Sequence, residues 1–376
     1  MTGPSARLRR LRARQAEMIT ALELLVDAES PSGAPEALAS CAARITELFA
    51  DRLGRTPEQV GAHLQWSGGQ ADGPRVLLVG HYDTVWPLGT LARHPFTVAD
   101  GRATGPGSFD MKAGIVQLVE ALATLDDLSR VTVLLTADEE LGSQTSRQLV
   151  QDAASRASAA LILEPSVDGM LKTARKGTGM YTLRVTGRAA HAGLEPEKGA
   201  NALVALAEVV LTAARLGRPE LGTTVTPTMA AAGSASNVVP AEATAELDVR
   251  TAVPEEASRV DADVRRLATT VAGTQLSVEG GPNRPPMPSS ASAALFLRAQ
   301  SCAARLGIGP LGSAAVGGGS DGNFTAAAGT PTLDGLGAVG GGAHGVDEHV
   351  LVATMPERAA LVAELIDDLL AAGAGA

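Results

Sequence analysis

A chain of 376 residues with 45% hydrophobic content is long enough to bury two cores, so two domains are expected. A formal charge of −10 opposes any polyanionic partner, and 2% aromatic residues leave little for stacking on bases, which excludes a nucleic-acid role. No apolar run approaches membrane-spanning length, so no membrane role is expected.

The chain opens on Arg7, Arg9, Arg10, Arg12 and Arg14, followed by an amphipathic stretch over 18–26. Without a continuous apolar segment or a small-residue cleavage site, this reads as a basic surface helix and not a targeting signal. Cys41 and Cys302, the only cysteines, lie far apart and outside every acidic motif, which fits a reducing cytoplasm and neither a disulfide framework nor a thiolate metal site.

Residues 76–79 form a short continuous apolar run, as fully buried strands do. Helical spacing over 111–125 puts Ile115, Leu118, Val119, Leu122 and Leu125 on one side, with Asp110 at the cap position. The runs 131–135 and 159–163 are two more buried-strand candidates. Alternating strands and helices imply an α/β, mainly parallel, three-layer domain. The middle of the chain differs: a strand over 181–185, a helix over 199–216, an extended segment over 223–229, a strand over 244–249, a helix over 254–271 and a short strand over 275–278. That β-α-β-β-α-β order is the split-βαβ, ferredoxin-like α+β pattern. Gly177 and the breaker run Gly280-Gly281-Pro282-Asn283-Arg284-Pro285-Pro286 bound it, which gives an inserted domain at 177–284 within a discontinuous domain at 1–176 and 285–376. Helices over 291–306 and 355–370 complete the latter, and 371–376 are expected to fray.

Five acid- and histidine-bearing segments punctuate this frame. His81 and Asp83 follow the first strand run, two apart, so in extended geometry they share a side and Asp83 can orient His81. Asp110 follows a Gly-Pro-Gly turn; an ordinary N-cap would account for it alone, but its carboxylate can also bridge two cations. Asp138-Glu139-Glu140 closely follows a buried strand; neighbouring side chains diverge, so Glu140 can hold a metal while Glu139 faces substrate as a general base. Glu164 ends another strand before Pro165, and His344 sits in a glycine-rich loop. His63 and His349 lie in surface-like contexts, and His94 in a loop. His191, with no acidic neighbour before Glu195, is better suited to polarising a carbonyl than to holding metal. Gly335-Leu336-Gly337-Ala338-Val339-Gly340 matches a dinucleotide fingerprint but precedes more glycine rather than a helix, so it is set aside, and Gly319-Ser320-Asp321-Gly322 lacks the spacing of a nucleophile elbow.

Taken together, these segments, with Ser236-Asn237-Val238-Val239-Pro240, resemble the M20 metallopeptidases over nearly the whole chain, and within them the glutamate carboxypeptidase branch. The resemblance implies two divalent ions, zinc first and cobalt or manganese as alternatives, bridged by Asp110 and a water. His81 and Glu164 would complete one position, Glu140 and His344 the other; Glu139 would be the base and Asp83 the orienting partner of His81. It further implies a cis peptide at Asp110–Met111 and a homodimer built through the inserted lid domain, with His191 acting on the partner subunit's substrate. Asn237 and Arg250 would hold the substrate's C-terminal carboxylate. Arg284 would be one cation of a glutamate pocket, with Lys172, Arg175 and Lys176 as candidates for a second. The expected activity is zinc-dependent exopeptidase or amidohydrolase cleavage of a C-terminal, glutamate-type residue from a small peptide or N-acyl amino acid. The alternatives are an N-acyl amino acid deacylase or desuccinylase and, from another class, a non-catalytic metal-stabilised binding protein. Closure of the lid domain over the metal site is also expected.

Overall fold

The computed structural model describes residues 5–372. They divide into two compact units, one holding the chain through Ala174 with Ser289–Val316 and the residues from Ser320 on, the other holding Arg175–Pro288 with Gly317–Gly319.

The first unit is built on a six-stranded sheet, in the order Glu58–Val60, His63–Ser67, Val131–Thr136, Val76–His81, Ala159–Ile162, Thr332–Leu333. The last four strands are parallel and the first two are antiparallel additions. The uninterrupted apolar runs follow from burial on both faces. Val76, Leu78, Val131, Val133, Leu135 and Leu161 face the larger core, beneath helices Gln15–Asp27, Pro35–Leu53, Ala113–Leu122, Ala293–Leu306 and Met355–Ala372. Leu77, Val79, Leu134, Ala160 and Ile162 face a smaller one, beneath Arg147–Ser155 and Gly322–Ala327. Alternation along each strand thus sends neighbouring side chains into opposite layers. No described helix is long and apolar enough to cross a membrane. Helix Met355–Ala372 runs to the last described residue, and most of the stretch expected to fray lies outside the described residues.

The second unit carries a four-stranded antiparallel sheet in the order Thr224–Ala232, Glu242–Thr251, Gly177–Thr186, Gln275–Arg284, with helices Ala202–Ala214 and Pro254–Arg265. The βαββαβ order is as expected, but the last strand corrects the reading of 280–286 as a pure breaker. It continues through Gly280, Gly281 and Pro282 to Arg284, with a register shift between Pro282 and Arg284. An edge strand tolerates a residue that cannot donate to the ladder, and this strand has a partner on one side only.

One ion cluster ties the N-terminal helices to the core. The buried Glu120 carboxylate accepts paired bonds from Arg14 (2.8 and 3.0 Å) and from Arg52 (2.8 and 3.0 Å). Burial works to raise the Glu120 pKa, but the two guanidinium groups overcome it and hold the carboxyl below its ordinary value. Glu120→Ala would leave two cations facing each other, partly reached by water, at an expected cost of about 3 kcal/mol. Because the folded pKa is depressed, the wild-type advantage is complete above the ordinary glutamate pKa of about 4.3 and shrinks as pH falls below it. Denaturant melts of both proteins at neutral and acid pH check both points.

Candidate metal centre

Three parallel strands deliver acidic or imidazole groups at their carboxyl ends, where open α/β sheets bind ligands. His81 is the last residue of Val76–His81 and pairs in register with Thr136, the last of Val131–Thr136. Asp138, Glu139 and Glu140 follow that second strand, and Glu164 lies just beyond Ala159–Ile162.

Asp110 arrives differently. It was expected to cap the following helix, but the helix starts at Ala113 with Lys112 at its cap position, and Asp110 has non-helical φ −114° and ψ 92°. The Asp110–Met111 peptide is cis. Gly107 opens this segment at φ +70°, where a β-carbon would meet the Thr84 side chain at 2.4 Å, so only glycine fits. Freed from capping, the carboxylate faces two imidazoles at once. Its Oδ1 lies 3.2 Å from His81 Nε2, and its Oδ2 lies 3.5 Å from His344 Nε2. His81 Nε2 is also 3.6 Å from Glu164 Oε1, and His344 Nε2 is 3.2 Å from Glu140 Oε1. Two donor groups result, His81/Asp110/Glu164 and Asp110/Glu140/His344, each with its donor atoms within 4.8 Å of one another and Asp110 shared. Carboxylate oxygens and imidazole nitrogens are the ligands that zinc, cobalt and manganese accept, so the residues fit a divalent pair.

The electrostatics agree with that fit. Burial works to lower the His81 pKa, but interactions with Asp110 and Asp83 and the charge of Glu139 raise it well above its ordinary value. His344, beside Asp110 and Glu140, is pushed up to about 10. Burial alone would raise the Asp110 pKa; contacts with His344 and His81 and the charge of Lys172 hold it well below the usual carboxylate range. Protons on two imidazoles thus supply positive charge that bound cations would replace.

Other acids hold backbone in place. His81 Nδ1 contacts the main-chain oxygen of Asp83 at 3.0 Å, with the Asp83 carboxylate farther away at 3.5 Å, so the carbonyl is the closer orienting partner. With Nδ1 donating there, Nε2 is the nitrogen that faces Asp110 and Glu164 and would bind a metal once its own proton is displaced. The Asp83 carboxylate instead accepts from the Ser32 hydroxyl (2.7 Å) and the amides of Glu139 and Glu140 (3.2 Å each). Asp138 is bonded by Thr145 and Ser146, so this member of the acidic trio holds the loop. Asp321, in the discarded Gly-Ser-Asp-Gly segment, accepts from the Thr136 and Ser143 hydroxyls and braces the same loop. His63, expected at the surface, is buried and accepts from the Ala137 amide at 3.2 Å. Glu348, which the sequence did not single out, is buried with its carboxylate on the amides of Gly107, Phe109 and Asp110.

Lys172 Nζ lies 3.6 Å from Glu164 Oε2 and lines a cavity of about 310 Å³ with Phe109, Asp110, Pro165 and residues 340–343. A larger cavity, about 410 Å³, lies at the start of the strands beside Arg75 and Thr132 and contains none of these donors.

The other four sequence-selected residues belong to the second unit. His191 is exposed and its Nδ1 accepts from the amides of Gly193 (3.1 Å) and Leu194 (3.2 Å), which leaves Nε2 as the donor nitrogen. Asn237 is exposed, with its main-chain oxygen accepting from the Ala192 amide at 2.9 Å. Arg250 is engaged by Asp248 through two bonds of 2.7 Å, so its fork is not free as expected; a substrate carboxylate would have to share it. Arg284 is buried.

Residues 77–368 match peptidase family M20/M25/M40. The chain is 32% identical over 390 residues to carboxypeptidase G2 of Pseudomonas sp. (strain RS-16), covering 96% of this chain and 90% of that protein. It is 31% identical to succinyl-diaminopimelate desuccinylase of Methylobacterium radiotolerans, over 79% of this chain and 81% of the relative. Among solved structures, aminopeptidase PepT of Bacillus cereus superposes with a TM-score of 0.77 at 23% identity, over 94% of this chain and 98% of that one, which shows a shared fold.

Because Asp110 belongs to both donor groups, its loss is expected to cost more ions than the loss of a donor from one group. Glu140→Ala is expected to leave one divalent ion per chain, His81→Ala likewise one, and Asp110→Ala none. Elemental analysis of protein dialysed against buffered zinc checks this, and an Asp110→Ala protein that keeps both ions contradicts it.

Proposed function

The chain belongs to peptidase family M20/M25/M40, a hydrolase family, and on that premise we propose a two-metal exopeptidase that releases a C-terminal, glutamate-type amino acid from a peptidyl or N-acyl amide. The observation that carries this reading is the Asp110 carboxylate, whose two oxygens face two separate donor groups. His81 and Glu164 complete one position, Glu140 and His344 the other, with zinc the first choice of ion and cobalt or manganese as alternatives. Bound there, the cations would polarise the scissile carbonyl and lower the pKa of the attacking water.

The remaining steps fall to protein groups. Glu139 follows a strand end beside His81, with its amide pinned by Asp83, and takes the proton from the attacking water. It then delivers that proton to the departing amine nitrogen. His191, with its proton on Nε2, donates to the developing oxyanion, reaching the active site of a second subunit. Homodimerisation through the second unit is supported by an uncovered apolar stripe, Leu203, Val204 and Leu211, on Ala202–Ala214, and by the exposed edge strand Thr224–Ala232. Lys172 in the cavity beside Asp110 supplies one cation for an acidic substrate side chain, and Arg284 is assigned as a second. Asn237 and Arg250 receive the C-terminal carboxylate. Two buried free cysteines, Cys41 and Cys302, suit the cytoplasm.

The desuccinylase relative favours a second reading, an N-acyl amino acid deacylase with the same centre. A panel of acyl-glutamate, N-acetyl and N-succinyl amino acid substrates separates the two. Preference for acyl-glutamate supports the carboxypeptidase reading, and cleavage of only acetyl or succinyl amides overturns it. Glu139→Gln is expected to retain two ions per chain while turnover falls by about 10²–10⁴, the usual worth of a general base. Wild-type turnover in that variant contradicts the assignment.

A further inference from the structure

Glu348 is 2% exposed, and four N–H groups converge on it. Its Oε1 accepts from the amides of Phe109 (2.9 Å) and Asp110 (3.0 Å). Its Oε2 accepts from the Gly107 amide (2.9 Å) and Trp86 Nε1 (2.7 Å). An ionised carboxylate offers about four lone-pair sites, and all are used here. Three of the donors are main-chain amides of the segment that ends in Asp110, so fixing them fixes where the shared carboxylate originates.

The same residue is tethered to the other side of the centre. Glu348 lies four positions after His344, in a tight loop closed by the Glu348 amide on the Gly345 carbonyl (2.9 Å) and the Gly345 amide on the Gly342 carbonyl (2.8 Å). Gly342 sits at φ +75°, where a β-carbon would lie 2.7 Å from the backbone of Asp347 and Glu348. The loop holds His344 in the left-handed region at φ 63°. Glu348 therefore joins the loop of His344 to the loop of Asp110, two of the three donors in one group. His81 and Glu164 of the other group stand at or beside sheet strands, which hold them independently of this loop.

We propose that Glu348 is a positioning residue that sets the geometry of the Asp110/Glu140/His344 position more than that of the His81/Asp110/Glu164 position, without touching metal or substrate; this rests on the two-metal reading above. Glutamine cannot substitute. Whichever way the amide turns, its NH2 faces two N–H donors, and buried amides around Asp110 lose their acceptor.

The test is competitive Zn²⁺ titration of metal-stripped wild type, Glu348→Gln and Trp86→Phe, with thermal melts of each metal-free protein. In Glu348→Gln one ion binds about 10–100-fold more weakly, the usual effect of losing a partner behind the ligands, while the other, which shares only Asp110 with it, weakens by a smaller factor. Trp86→Phe, which removes only the indole donor, shifts the more affected ion by a smaller factor. Unchanged affinities in Glu348→Gln, or equal weakening of both ions, overturn the proposal. If Glu348→Gln shows no cooperative melt, Trp86→Phe decides: selective weakening of one ion supports the proposal, and its absence overturns it. Fewer than two ions in the wild type defeats the two-metal reading itself, which separates that failure from this one.

Discussion

The structure depends on one crowded carboxylate. Asp110 faces His81 with one oxygen and His344 with the other, and Glu164 and Glu140 meet the same two imidazole nitrogens. So many acids in a partly buried space repel one another unless positive charge lies between them. Raised imidazole pKa values show how strongly the arrangement draws that charge. A site that pays such a cost in repulsion has a counter-charge as its natural occupant, and two divalent ions match the two donor groups.

The sheet makes this crowding affordable by rigidity, and a second set of acids completes the hold. Asp83, Asp138, Asp321 and Glu348 point at hydroxyls or main-chain amides and pin the loops that leave the strands. The acids at the centre thus serve two purposes. Some face the cation positions, and others spend their charge on N–H and O–H groups so that the first set cannot relax apart. Glu139 and Glu140 sit side by side at the junction, their amides on one carboxylate while Glu140's side chain turns to His344.

Much of this was legible in the sequence because local pattern and tertiary role coincide. The runs at 76–79, 131–135 and 159–163 read as buried-strand candidates, and acids placed just past parallel strands gather at one edge of the sheet. The rest was hidden where the deciding partner is remote. Glu348 reads as half of an acidic pair in a glycine-rich loop, and its role depends on amides more than 200 positions earlier. Asp110 reads as a cap because the helix begins nearby, yet the chain turns before the helix starts. His63 looks exposed among polar neighbours, but the strand it opens pairs inside the sheet. Gly280 to Pro282 signal a break, and only the edge position of their strand shows why pairing continues. Arg250's commitment to Asp248 two residues away was within reach, since alternate residues of a strand share a face.

The central claim is that one carboxylate serves two cations. Anomalous diffraction from crystals soaked in zinc or manganese tests it most directly. The account predicts two peaks about 3.5–4 Å apart, one beside His81 and Glu164, the other beside Glu140 and His344, with Asp110 between them. A single peak, or two peaks with Asp110 bound to only one, would contradict it.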